Sequence, residues 1–268
     1  MEHNKLYEAV HKDVTDHLLK SLSTAEVSDK PFPHFFVTNL FPDSIYTQLV
    51  DSLPDQSQYG TYTKYNVDNK PTRFRIGLTQ ETLAAIPTEK KAIWLGVRDA
   101  LGSPEVKASV FRQLQHGLSL RFGQPRDEVE QIPAYPLSEL YRETFGYEIK
   151  PHTDTRKKIV TMQIALPYDE SQSELGTMFY RLSPTPKALF NHPKGFKMVK
   201  KIPFLPNSAY AFVVFNTLTM RSWHGRAKLP PDCGVRNSLL HIYYDKPEYG
   251  NQELVERYYK EANKTGTI

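Results

Sequence analysis

The chain has 268 residues, a formal net charge of +4 and one cysteine, and is 39% hydrophobic and 12% aromatic. That apolar content supports a packed core and excludes wholesale disorder, while a mean hydropathy of -0.53 without a long apolar run excludes a transmembrane helix. Lys and Arg are too dispersed for a nucleic-acid-binding protein, and the lone Cys233 makes no intramolecular disulfide, so the expectation is a cytoplasmic protein.

The N-terminal stretch lacks the apolar core of a signal peptide, and Leu6, Tyr7, Val10, Val14 and Leu18 recur at helical spacing. They predict an amphipathic helix. "FPDSIYTQLVDSL" opens on the capping residues Asp43 and Ser44 and predicts a second. Residues 59–78, "YGTYTKYNVDNKPTRFRIGL", are aromatic, basic and rich in turn formers, which predicts a hairpin or a long ordered loop. Lying outside the strand core, where lids are commonly built, the segment makes Arg73 and Arg75 candidates for substrate recognition. A purely structural β-extension is the competing reading. "PTEKKAIWLGVRDAL" and "SPEVKASVFRQLQHGLSLRF" predict two further helices, ending near Gly102 and Gly123.

From about residue 136 short alternating runs follow one another, at 138–142, 145–151, 158–166, 175–182, 196–204, 208–215 and 235–244. Pro, Gly, Asn and Asp cluster between them, a texture that favours an all-β sandwich or barrel over βαβ units. With no internal repeat or flexible linker, one domain is expected: residues 1–135 as mainly helical support and lid, 136–245 as β core, and 246–268 as a tail or helix.

The run "YEIKPHTDTRKKIVTMQIALPYD" begins with His152 and Asp154, which share a strand face because the side-chain period is two. Aiming two titratable groups into a fold is costly unless something binds them. His224, in "SWHGR", supplies a second imidazole. Two imidazoles and one carboxylate form the facial triad that leaves open positions on a non-heme Fe(II), although a three-ligand zinc site reads similarly. Arg236, twelve residues beyond His224, shares a face with Ser238. A guanidinium fork with a hydroxyl beside it is a receptor for a carboxylate.

In "GYEIKPHTDT", "LGTMFYRL", "FLPNSAYAFVVF", "SWHGR" and "RNSLLHIYY", the segment from about Leu140 to Tyr244 resembles the Fe(II)- and 2-oxoglutarate-dependent dioxygenases. The resemblance covers roughly two-fifths of the chain. It implies an α+β protein with a double-stranded β-helix (jelly-roll, cupin-like) core and supporting N-terminal helices. It also implies Fe(II) held by His152, Asp154 and His224, with 2-oxoglutarate anchored by Arg236 and Ser238 and O2 as the other cosubstrate. The family's halogenases carry a small residue in place of the acid, so Asp154 favours hydroxylation. The implied partner is a small-molecule substrate. A peptidyl hydroxylase of the prolyl type and a non-catalytic cupin-like metal-binding module are the alternatives.

Thr155 and Gln163 are candidates for the same pocket, and Gly176 and Thr177 read as serving backbone geometry. Trp223 reads as packing, Cys233 has no nucleophile context, and His34, His116, His192 and His241 read as structural or exposed. Lysines 194, 197, 200 and 201 read as a solvated face, or as a field drawing an anion to a cleft. Arg156, Lys157, Lys158, Arg226 and Lys228 flank the proposed ligands. If they converge they form a cationic rim suited to an anionic substrate, with Arg226 its recognition residue.

Overall fold

The computed structural model describes residues 2–260 apart from 63, 65–66 and 191–192. Period-two sequence in the second half produces strands: β1 Glu26–Ser28, β2 His34–Thr38, β3 Gly60–Thr61, β4 Arg73–Gly77, β5 Tyr135–Glu143, β6 Ile149–His152, β7 Lys158–Ala165, β8 Thr177–Leu182, β9 Phe196–Ile202, β10 Ser208–Val213, β11 His224–Arg226 and β12 Arg236–Tyr244. Eight form one antiparallel sheet ordered β1-β2-β10-β7-β12-β5-β4-β3, and four form a second, β6-β11-β8-β9. Two facing antiparallel sheets of this kind make a double-stranded β-helix.

The alternation in β7, "KIVTMQIA", shows how the sequence separates core from cavity. Val160, Met162 and Ile164 join Leu239 and Tyr243 in the apolar core shared with the helices. The intervening Thr161 and Gln163 point the other way and line a cavity between the sheets. Both faces of the strand are buried almost along its whole length.

The helices are α1 Glu2–Ser23, α2 Asp43–Asp51, α3 Thr88–Leu101, α4 Pro104–Gln113, α5 Gln115–Phe122, α6 Pro186–Phe190 and α7 Gln252–Tyr258. Val10, Val14, Leu18 and Leu22 of α1 form its buried stripe, and Gly96 of α3 lets α1 lie close. A β-carbon at Gly96 would sit 2.9 Å from a Val10 methyl. Among the described residues no helix is long and apolar enough to cross a membrane.

Several elements differ from expectation. The helix expected from 103 to 122 is two, because buried Leu114 leaves helical geometry at φ -102°, ψ 14°. Strands β1 and β2 fall in the half expected to be helical; "HFFVT" is too short to show a period and gains its pairing from β10. The 59–78 segment is a β-extension of the large sheet, with β4 paired to β5. The 145–151 run becomes a turn around Gly146, at φ 86°, before β6 begins. The C-terminal helix is α7; residues 261–268 lie outside the described residues.

Helix α7 is latched to α1 and α3 by charge. Fully buried Asp99 accepts hydrogen bonds from Tyr7 Oη and Arg98 Nε, both at 2.5 Å, and from Arg257 Nη1. Arg98 also reaches Glu253 of α7 at 2.5 Å. Because Arg257 is partly exposed and Arg98 keeps Glu253, Asp99→Ala should cost about 2–3 kcal/mol rather than the larger loss of a fully enclosed pair. A drop in Tm on the order of 5–10 °C is expected by calorimetry. A shift under about 2 °C would show that the latch contributes little.

Candidate metal centre and active site

β6 and β11 are neighbours, with His152 directly opposite His224. Cross-strand partners project to the same side. Their ring centroids are 4.3 Å apart, inclined at 49°. Gly225 permits this approach, since a β-carbon there would lie 2.6 Å from the Ile149 carbonyl oxygen. Asp154, just past the end of β6, completes the group: one donor atom from each residue lies within 4.8 Å of the others.

Each histidine is oriented by its own strand. His152 Nδ1 meets the Lys150 carbonyl at 3.1 Å, and His224 Nδ1 meets the Ser222 carbonyl at 3.0 Å. A carbonyl only accepts, so Nδ1 carries the proton and Nε2 keeps its lone pair. Burial, then repulsion from His224, pushes His152 down to about 4, and burial lowers His224 as well. Burial works against ionisation of Asp154, but Lys158 and His224 outweigh it and hold the carboxyl well below the usual range. Lys158 Nζ donates to Asp154 Oδ1 at 2.8 Å and Thr161 Oγ1 to Oδ2 at 2.7 Å. At neutral pH the site presents two neutral imidazoles and one carboxylate.

The loop carrying this acid is held from beneath by Arg121 of α5. Its guanidinium donates to the carbonyls of Arg156 and Lys158 at 2.7 Å, Ile159 at 3.2 Å and Val214 at 2.5 Å.

The three residues face a cavity of about 450 Å³. One wall is a hydrogen-bonded set centred on Gln163, drawn from both sheets. The Gln163 side-chain oxygen accepts from Tyr210 at 3.1 Å, Thr177 at 3.2 Å and Arg236 Nη2 at 3.3 Å. Its amide nitrogen donates to Ser238 Oγ at 3.4 Å.

Arg236 and Ser238 lie one layer behind this wall. Arg236 is fully buried, stacks 3.7 Å from the centre of Phe204, and donates through Nε to the Leu175 carbonyl and through Nη1 to Glu143. Glu143, fully buried, gathers three arginines: Arg236 at 2.7 Å, Arg226 at 2.9 Å and Arg73 at 3.2 Å. Burial raises the Glu143 pKa, but the three guanidinium groups outweigh it and hold it below the ordinary value.

Thr155, Gln163, Arg73 and Arg226 all line the cavity. Arg75 does not; the next inward position on β4 is Arg73, and Arg75 pairs with Glu139 at 3.1 Å near the surface. The expected rim forms only in part. Lys158 and Arg226 reach the cavity, whereas Arg156 donates to the Asn216 carbonyl, Lys157 lies over Tyr249 and Lys228 over Phe145. Lys64 and Arg73 of the 59–78 hairpin take their place.

Thr177 is a cavity residue, and Glu143, Thr161 and Tyr210 are site residues absent from the sequence reading. Only their inward parity could have marked them. Trp223 packs on Phe196 as expected. His34 and His241 are buried and His116 pairs with Asp29, while His192 lies outside the described residues.

No family model and no curated protein matches the chain. Solved structures do. The "non-heme alpha ketoglutarate dependent epimerase SnoN from nogalamycin biosynthesis" aligns at 12% identity and TM-score 0.50, covering 90% of this chain and 88% of that one. "JOX2 in complex with 2OG, Fe, and JA" aligns at 14% identity and TM-score 0.52, covering 82% and 71%. The chain therefore has the double-stranded β-helix fold found in iron- and 2-oxoglutarate-dependent oxygenases.

Proposed function

We propose that this protein is an Fe(II)- and 2-oxoglutarate-dependent dioxygenase that hydroxylates an unactivated C–H bond of a small anionic molecule. The observation that carries the reading is the triad His152, Asp154 and His224, its three donors within 4.8 Å and lining a cavity in this fold. Two neutral imidazoles and one ionised carboxylate suit a divalent first-row metal while leaving coordination positions open. When bound, iron and 2-oxoglutarate supply the oxidising chemistry, in which O2 is consumed, the keto acid leaves as succinate and CO2, and a C–H bond becomes an alcohol.

The chain's own residues bind and orient. Nε2 of each histidine and a carboxylate oxygen of Asp154 would hold the metal, with Lys158 and Thr161 fixing the carboxylate's plane. Phe212, centred 4.7 Å from the His224 ring, keeps water off that side. The far carboxylate of 2-oxoglutarate would dock on the wall of Gln163, Thr177 and Tyr210, with the Arg236 charge behind it and Ser238 steadying Gln163. The cavity lining carries Lys64, Arg73, Lys158 and Arg226 against Asp154, with Glu143 behind the two arginines, and the remaining positive balance favours an anionic substrate. Its size lies within the roughly 300–1,000 Å³ common for small-molecule sites, which favours a metabolite over a protein chain. Buried Cys233 fits a reducing compartment, and the cytoplasm is the setting we propose.

Iron-dependent succinate release tests the reading, using a panel of carboxylates, phosphates and their cationic counterparts. Arg236→Leu should raise the KM for 2-oxoglutarate severalfold, because it removes the positive charge behind the wall and the Nη2 contact that fixes Gln163. KM for the prime substrate should change far less. Metal binding without succinate from any compound would favour a cupin-like binding module. An unchanged 2-oxoglutarate KM in the variant would move the anchor away from Arg236.

A further inference from the structure

A second depression of about 640 Å³ lies on the outer side of the small sheet. It adjoins the first across β6 and β11, and Ile149 and Arg226 line both. Arg226 is only 5% exposed, and it spends one nitrogen on Glu143 at 2.9 Å. Its Nε and Nη1 have no hydrogen-bond partner, although both are buried. A buried guanidinium with unanswered N–H groups calls for an oxyanion. Glu143 meets this guanidinium at one nitrogen only and leaves Nε and Nη1 unanswered.

The outer groove continues from this junction. Its floor is apolar, with Met178, Phe196 and Met198, and Met178 points away from the cavity because its neighbours Thr177 and Phe179 point inward. Its rim is cationic: Lys150, Lys187 and Lys197 stand against the one acid, Glu148. Aromatic and thioether surface bounded by positive charge suits an apolar body attached to an anion.

We propose that the prime substrate is an elongated amphipathic anion that spans both cavities, with an internal oxyanion on Arg226 and an apolar tail along the outer groove. Its other end lies at the triad; this last assignment rests on the dioxygenase reading, whereas binding in the groove does not. The partition accounts for a metal cavity smaller than the groove beside it. It also accounts for an arginine kept dry with two donors unspent.

The test is calorimetric titration of n-octyl phosphate into the full-length protein with 2-oxoglutarate present in excess. Saturable one-to-one binding is expected, at least tenfold tighter than inorganic phosphate and tenfold tighter than octyltrimethylammonium. Lys187→Glu combined with Lys197→Glu, both at the surface, should weaken it about fivefold or more, and Arg226→Met tenfold or more. Equal affinity for inorganic phosphate would remove the tail, and equal affinity for the ammonium compound would remove the anion. If Arg226→Met does not fold, the lysine pair decides, and unchanged binding there overturns the proposal. Octyl phosphate binding in this pattern without any iron-dependent succinate would defeat the dioxygenase reading and leave the groove assignment standing.

Discussion

Changing Glu143 to glutamine is expected to destabilise the protein by about 3–5 kcal/mol, the loss typical of removing one partner from a buried charge cluster. For a chain of this size that is a fall in Tm on the order of 10 °C. The reason is the company this carboxylate keeps. Arg73, Arg226 and Arg236 converge on it, all largely or fully buried. An amide would fill the same space but leave three guanidinium groups to repel one another in a low dielectric. The effect has a pH signature. Because the folded pKa of Glu143 lies below its ordinary value, its contribution is complete above the unfolded pKa, near 4.3, and is lost as pH falls through the folded value. The Tm gap between wild type and Glu143→Gln should therefore be constant from about pH 5 to 8 and begin to narrow only in stronger acid, below the unfolded pKa. A gap that widens in acid would mean that the arginines do not hold this carboxylate ionised, and a shift of only a degree or two at neutral pH that solvent reaches the cluster and screens it. Adding Arg226→Met to Glu143→Gln should recover part of the loss, since the two groups are in contact and their effects are not additive.

Glu143 also marks the limit of what could be read before the fold was known. The triad was legible because its spacing is local on one side and its residue types are distinctive: His152 and Asp154 lie two apart, and His224 falls on a strand that pairs opposite. The β core was legible because β7, β10 and β12, the strands that separate helices from cavity, are short apolar-rich runs bounded by turn formers. What was not legible is set by pairing between distant segments. Arg73, Glu143 and Arg236 stand in one row across β4, β5 and β12, a register that no single strand announces. The same is true of Tyr210 and Gln163, brought together by the pairing of β10 with β7. Arg75 was a reasonable candidate beside Arg73, yet it forms its ion pair with Glu139 near the surface, where only Arg73 reaches the cavity. Strands β1, β2 and β11 escaped because runs of three to five residues carry too few positions to show a period.

Replacing His224 with alanine is expected to remove metal binding and turnover together. The candidate ligand set is small, and each member is oriented by hydrogen bonds: His224 through Ser222, His152 through Lys150, Asp154 through Lys158 and Thr161. Loss of such orienting contacts lowers metal affinity about 10–100-fold in metal sites generally, so loss of a direct donor should exceed about 100-fold. The measurement is titration with Co(II), whose visible absorption reports coordination without turnover, followed by succinate release with Fe(II). His152→Ala should behave the same way, and His116→Gln, whose ring pairs with Asp29 away from the cavity, should bind cobalt as wild type does. The pH dependence adds an independent check. Metal and protons compete for the same lone pairs, and burial has already pushed His152 down to about 4. Cobalt binding to the wild type should therefore persist below pH 6.5, where an unperturbed histidine would begin to lose it to protonation, and weaken only as pH approaches that lower value. Cobalt affinity that falls through pH 6.5 with an ordinary histidine profile would place the metal on exposed imidazoles instead. Undiminished binding in His224→Ala would remove His224 from the site altogether.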